Sequence, residues 1–112
     1  MNQRIYFTIL IYIKEGKEEL FHSYEKQALP LIEKYGGRFE LMMKPEAVNG
    51  DLNLPDEIHV LSFDTEDGFN KYRQDPKSIE LAPLRIESVS NAIFLRGHAL
   101  SYLKKCGSNG LL

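Results

Sequence analysis

The chain has 112 residues, with 14 Lys and Arg against 16 Asp and Glu and a formal net charge of −2. A chain of this length suits one domain around one core, and with no stretch that concentrates Lys and Arg, a surface that tracks a nucleic-acid backbone is excluded. The longest apolar run, Ile5 to Ile13, is less than half of the roughly 20 residues that span a bilayer and lacks a small-residue cleavage site, so no membrane is expected and the chain reads as cytoplasmic.

The first element is a strand, "RIYFTILIYIK". Ile5, Phe7, Ile9, Ile11 and Ile13 make one apolar face, while Tyr6, Thr8, Leu10 and Tyr12 make a second that is also too apolar for solvent. In "KEGKEELFHSYEKQALPLIEKYGG", Leu20, Phe21, Tyr24, Ala28, Leu31, Ile32 and Tyr35 recur at helical spacing opposite a charged face. This predicts one amphipathic helix, bent near Pro30 and ended by Gly36-Gly37. "RFELMMK" follows as a strand in which Phe39, Leu41 and Met43 alternate with Arg38, Glu40, Met42 and Lys44. "PEAVNGDLNLPD", with its prolines and Asn49-Gly50, is a connection into a third strand, "EIHVLSFD".

Asp64 and Thr65 supply oxygens for a helix start over "EDGFNKYRQ", with Phe69 and Tyr72 as its buried face. Asp75 then caps a short helix with Pro76 at its first position, predicted to end near Pro83. Ile86 to Arg96 reads as the fourth strand. The tail after it, "GHALSYLKKCGSNGLL", is expected to add a helical turn or two and then fray. Its single cysteine, Cys106, has no partner within the chain, an incidental exposed thiol that fits a reducing compartment.

The order β-α-β-β-α-β is that of an α+β, ferredoxin-like fold, in which two helices cover one face of a four-stranded antiparallel sheet. Residues 1–98 form this domain and residues 99–112 a C-terminal tail. The helices can cover one face of the first strand and not both. The simplest cover for Tyr6, Thr8, Leu10 and Tyr12 is the same face of a second copy, which predicts a homodimer.

Three stretches then carry a resemblance: "ALPLIEKYGGR", "FDTEDGFNKYRQDP" and "LAPLR". Over residues 4–96 the chain resembles the dimeric α/β-barrel superfamily, and within it the small bacterial proteins of unknown function whose first helix ends in a YGGR-like turn. The resemblance implies a homodimer whose sheets face each other as a barrel, with a small-ligand pocket between sheet and helices or inside the barrel. Relatives of that kind include cofactor-independent monooxygenases, haem-degrading monooxygenases, lactone isomerases and stress-responsive proteins. The longer connection "KPEAVNGDLNLPDE" departs from the short Glu-Gly turn usual in the family, and the chain has no Trp, so haem is set aside.

The residues themselves offer few chemical groups. His59 lies in the third strand with Leu61 and Phe63 on its own face, where an imidazole can act as a base on an activated carbon acid or phenol. It can equally be a core or interface histidine satisfied by a carbonyl or a Tyr. Burial without a carboxylate partner would keep its ring neutral. Arg38 and Arg85, each at an element boundary, can hold a carboxylate in paired hydrogen bonds or merely close salt bridges. Arg38 is expected to reach the space around His59. Tyr6 and Tyr12 can orient a ligand or serve as interface aromatics.

His22 reads as a surface residue of the first helix and His98 belongs to the tail, so the scattered histidines give no metal site and no cofactor is expected. Two readings result. One is a small-molecule-binding or stress-linked homodimer. The other is a cofactor-independent monooxygenase- or isomerase-like enzyme that acts on a small organic acid or phenol with His59 as base.

Overall fold

The computed structural model describes residues 4–50 and 53–102. Its elements run β1 (Ile5–Ile13), α1 (Glu18–Lys34), β2 (Gly37–Met43), β3 (Glu57–Phe63), α2 (Glu66–Gln74), α3 (Pro76–Ser88) and β4 (Val89–Gly97). The strands form one antiparallel sheet in the order β2-β3-β1-β4, the ferredoxin-like α+β arrangement. The central strands β1 and β3 hold most of the buried strand residues, and β2 and β4 form the edges.

Register assigns the two faces. Ile5, Phe7, Ile9 and Ile11 pair with Phe63, Leu61, His59 and Glu57, so these residues share the helix-covered face. Ile5, Phe7, Leu61 and Phe63 pack there with Ala28 and Ile32 of α1 and Leu81 of α3. Phe69 of α2 brings its ring centroid to 4.4 Å from that of Phe7, in the range where aromatic pairs add to area burial. Tyr6, Thr8, Leu10 and Tyr12 of β1 lie half-buried on the opposite face, which no helix among the described residues covers.

The turns match their chemistry. Gly36 ends α1 at φ 86°, a left-handed conformation that costs other residues strain. Thr65 caps α2 by accepting a hydrogen bond from the Gly68 amide at 2.9 Å, and a Cβ on Gly68 would stand 2.4 Å from the Tyr35 carbonyl oxygen. Asp75 caps α3 through the Lys77 amide at 2.7 Å, with Pro76 in the first turn.

Two expectations are corrected. The helix after Pro76 does not end near Pro83 but runs through Pro83 to Ser88, and the last strand begins at Val89 rather than Ile86. Pro83 and Ile79, whose carbonyl the proline leaves unbonded, are both exposed, while Leu84 packs on the core and the carbonyl of buried Ser88 accepts from the Lys14 amide at 2.8 Å. Ser88 anchors the end by donating its hydroxyl to the Leu84 carbonyl at 2.7 Å. In β2 the strict alternation also breaks: an irregularity between Phe39 and Leu41 keeps Phe39 and Met42 on the helix side, opposite Leu61 and His59, and turns Leu41 and Met43 to the open face. Beyond β4, residues 98–101 carry no helix, and the rest of the tail with Cys106 lies outside the described residues except for Tyr102 in a turn.

Candidate functional site

Between the sheet and the helices lies a cavity of about 670 Å³, lined by aromatic side chains that include Phe7, Phe21, Phe39 and Phe69. That size is ordinary for a small-molecule site. Ile79, Ile86 and Phe94 belong to its lining and are exposed, so they mark its mouth beside α3 and β4. Its polar lining is sparse: His59, Glu25, Tyr24, Tyr72, Ser78, Arg73 and Arg85, with Asn91 at the β4 edge.

His59 is 1% exposed. The expectation that it lacks a carboxylate partner is corrected, because a carboxyl lies on each side of the ring. Nε2 is 2.8 Å from Glu57 Oε1, and Nδ1 is 3.8 Å from Glu25 Oε1. Strand alternation explains the first contact: Glu57 and His59 are two residues apart on one face of β3. The second comes from α1, where Glu25 follows Phe21 by one helical turn and so interrupts the apolar stripe. A hydrogen on Nε2 satisfies the Glu57 carboxylate and leaves the Nδ1 lone pair facing Glu25. The Phe21 and Phe39 rings flank the imidazole at 6.0 and 5.6 Å between centroids.

Glu25 is the anomalous group. Burial, and then the negative charge of Glu57, push its carboxyl up to about 7 from an ordinary 4.5, against an opposing pull from His22. Among the described residues its buried Oε1 has no hydrogen-bond partner. A buried polar oxygen of this kind is costly unless something completes it. Glu57 behaves oppositely: burial works to raise its carboxyl, but hydrogen bonds from His22 and His59 outweigh this and hold it low. Burial likewise raises the Tyr24 and Tyr72 phenols above their usual value, which keeps both hydroxyls protonated as donors.

The structure divides the expected site residues between two faces. His59 and Arg85 line the cavity. Arg85 lies inside the last turn of α3 rather than just before the last strand, and it faces Tyr24. Arg38 pairs across to Ser62 and Tyr6, so it lies on the open face, away from His59, and the expectation that it reaches that space is corrected. Its Nε donates to Glu40 Oε2 at 2.8 Å, and Ser62 donates to the same oxygen at 2.6 Å. Tyr6 is on that open face as well, and Tyr12 there donates its hydroxyl to the Asn53 carbonyl at 2.9 Å. Glu25, Glu57 and Arg73 escaped the sequence reading, and Tyr24 and Tyr72 entered it only as buried helix positions. Alternation in "EIH" and the break in the α1 stripe were the available signals for the two glutamates.

The open face carries a second feature. By register, Leu10, Ile58, Val60, Leu41, Met43, Ile93 and Leu95 share it. Leu41 is 52% exposed and Leu95 55%. Among the described residues no cluster of His, Cys, Asp and Glu is arranged to hold a metal, and no helix is long and apolar enough to cross a membrane.

No family model matches the sequence, and no curated protein is significantly similar to it. Solved structures share the fold. A protein of unknown function from Rhodopseudomonas palustris superposes with a TM-score of 0.80 at 16% identity, over 89% of this chain and 85% of that one. A dimeric ferredoxin-like protein of unknown function from Thermobifida fusca gives 0.59 at 13% identity, over 88% and 93%. A candidate antibiotic biosynthesis monooxygenase from Bordetella bronchiseptica gives 0.64 at 18% identity, over 88% and 98%. At such identities the likeness extends to the ferredoxin-like architecture, which hosts many unrelated chemistries.

Proposed function

We propose that this chain is a homodimeric small-molecule-binding protein whose ligand occupies the cavity at His59. The observation that carries the reading is the unpartnered, buried Oε1 of Glu25 beside the buried imidazole, within an otherwise aromatic cavity. A ligand hydroxyl or N–H entering there completes Glu25, while its apolar body packs on Phe7, Phe39 and Phe69. Arg85 and Arg73 line the same cavity, and no ion pair engages either among the described residues, so an acid group on the ligand finds a guanidinium. The exposed apolar residues of the open face support self-association through the sheets, in the manner of the Thermobifida fusca protein described as dimeric. In the dimer, Tyr6, Tyr12 and Arg38 belong to that interface. The lone cysteine supports a cytoplasmic place for the protein.

A second reading is favoured by one geometric detail. Glu57 fixes the His59 ring with Nδ1 free, and Glu25 beyond it retains a proton near neutrality. His59 can then remove a proton from a ligand carbon or hydroxyl while Glu25 delivers one to another atom, the balance of an isomerase-like transfer. The same first step would open a cofactor-independent oxygenation that draws on dioxygen.

The test follows the His59 ring signals by NMR through titrations with a panel of small aromatic and carboxylic acids, in the parent and in Glu25→Gln. At least one compound should shift the ring saturably, and the Glu25 change should alter its affinity. A His59 ring unmoved by every compound would remove the cavity from consideration.

A further inference from the structure

We propose that Glu57 and His22 form a proton path from the buried His59 to solvent, so that the cavity exchanges protons with the surface without opening. It builds on the cavity reading above, but the test below uses no ligand, so its failure leaves the binding result untouched and the reverse also holds.

His22 is on α1, one turn before Glu25, and its side chain is about half exposed. It lies in a shallow surface depression with Glu19, Ser23, Lys26 and Gln27. From there its Nε2 reaches Glu57 Oε2 at 2.6 Å, and the other oxygen of the same carboxylate holds His59 Nε2 at 2.8 Å. One carboxylate therefore joins an exposed imidazole to one that is 1% exposed. Inside, Nδ1 of His59 faces Glu25 at 3.8 Å. Tyr24 from α1, Tyr72 and Arg73 from α2 and Arg85 from α3 are the other ionisable groups on that side. Tyr24 and Tyr72 are held protonated and the arginines are cations, so none of them competes with Glu25 and His59 as a proton acceptor.

The transfer balances. A proton taken up at Nδ1 of His59 releases the Nε2 hydrogen to Glu57 Oε1. The carboxyl, now neutral, turns about its Cγ–Cδ bond and brings the protonated oxygen against His22. At rest His22 donates from Nε2 to Glu57, so its half-exposed ring first passes through water to the tautomer with its hydrogen on Nδ1; Nε2 then accepts the carboxyl proton and the Nδ1 hydrogen leaves to water. One proton has left, Glu57 is again a carboxylate, and both rings are neutral, His59 with its hydrogen on Nδ1 and His22 again with its hydrogen on Nε2. A proton travelling inward resets His59, as a cycle that first takes and then returns a proton requires.

The experiment measures water exchange of the His59 ring N–H by saturation transfer in protein labelled with 15N-histidine. The variant is His22→Gln, an exposed change that leaves the core intact. Acid–base groups typically contribute about 10²–10⁴-fold in rate, so loss of the outer one should slow exchange at least about tenfold. Imidazole added to the buffer should restore it by occupying the surface depression. Backbone amides of β3 should exchange as in the parent, and Glu57→Gln should reproduce the slowing without rescue. An unchanged ring exchange rate in His22→Gln would overturn the path. Slowing accompanied by equal slowing of the β3 amides, or not relieved by imidazole, would do the same, because it would mean that exchange depends on opening.

Discussion

The two faces of the sheet are built from the same strands and differ in how they treat charge. On the helix-covered face, polar groups are few, buried and tied together: His59 between Glu57 and Glu25, with a cavity above them. On the open face the charged residues Arg4, Arg38, Glu40 and Asp64 gather at one end and satisfy one another, and most of the rest is apolar, with Thr8 and the hydroxyls of Tyr6 and Tyr12 among it. A buried charged cluster with one unpaired oxygen has the character of a site, because its cost is justified only by what it does. An aliphatic face with its charges set aside has the character of an interface.

The largest expected effect breaks the open face. In the proposed dimer, Leu10→Glu would place a carboxylate from each protomer near the centre of the sheet-to-sheet contact, where an uncompensated buried ion costs several kcal/mol. Sedimentation equilibrium should then give the mass of one chain where the parent gives twice that mass. His59→Gln, on the other face, should leave the parent mass unchanged. Loss of the dimer in both variants would mean that the faces are not separate.

The next effect sharpens the covered face. Glu25 has a folded value of about 7 against an ordinary 4.5, so the folded chain holds a proton that the unfolded chain releases between those values. The stabilisation is complete below about pH 4.5 and is lost as pH rises through about 7, a change of about 3 kcal/mol. Glu25→Gln should flatten this slope and, at pH 8, be more stable than the parent by up to about 3 kcal/mol in urea unfolding. The depressed Glu57 works in the opposite sense: its stabilisation is present above the ordinary carboxylate range and is lost only as the solution becomes more acidic. A parent whose stability is flat between pH 4.5 and 7 would contradict the burial of the Glu25 charge.

Two small effects complete the series. Arg38→Gln should leave the His59 ring titration and its ligand shifts unchanged, since Arg38 lies on the other face and pairs with Glu40. Lys17→Glu, which loses only the exposed contact with Glu87 at 3.3 Å, should change stability within about 0.5 kcal/mol.

Periodicity made most of this fold readable. The alternation of β1, the stripe of α1 and the caps at Thr65 and Asp75 act locally, and each placed its element within a few residues. Where tertiary contacts overrode local signals, the reading failed. Pro83 looked like a stop, but the packing of Leu84 on the core and the bond from the Lys14 amide to the Ser88 carbonyl carry α3 through it. The irregularity between Phe39 and Leu41 has no marker in "RFELMM" and moves three side chains, Leu41, Met42 and Met43, to the face opposite the expected one. At the site, the buried position of His59 followed from its strand neighbours. Its carboxylates did not, because Glu25 approaches from a helix distant in the chain and Glu57 resembles any polar strand start. Arg38 was placed near His59 on adjacency of strands alone, and one step of pleat puts it on the reverse side.

The central claim is that the open face is covered in solution while the cavity stays open to small molecules. Paramagnetic relaxation of side-chain methyl groups by a soluble gadolinium chelate reads this directly, residue by residue, at micromolar protein concentration. Val48, 95% exposed in a loop, should be bleached, and Ile5 and Leu61 of the core should be protected. With the open face covered, Leu41, Ile93 and Leu95 should be protected like the core, whereas Ile79 at the cavity mouth should be bleached like Val48. Bleaching of Leu41, Ile93 and Leu95 to the level of Val48 would contradict it.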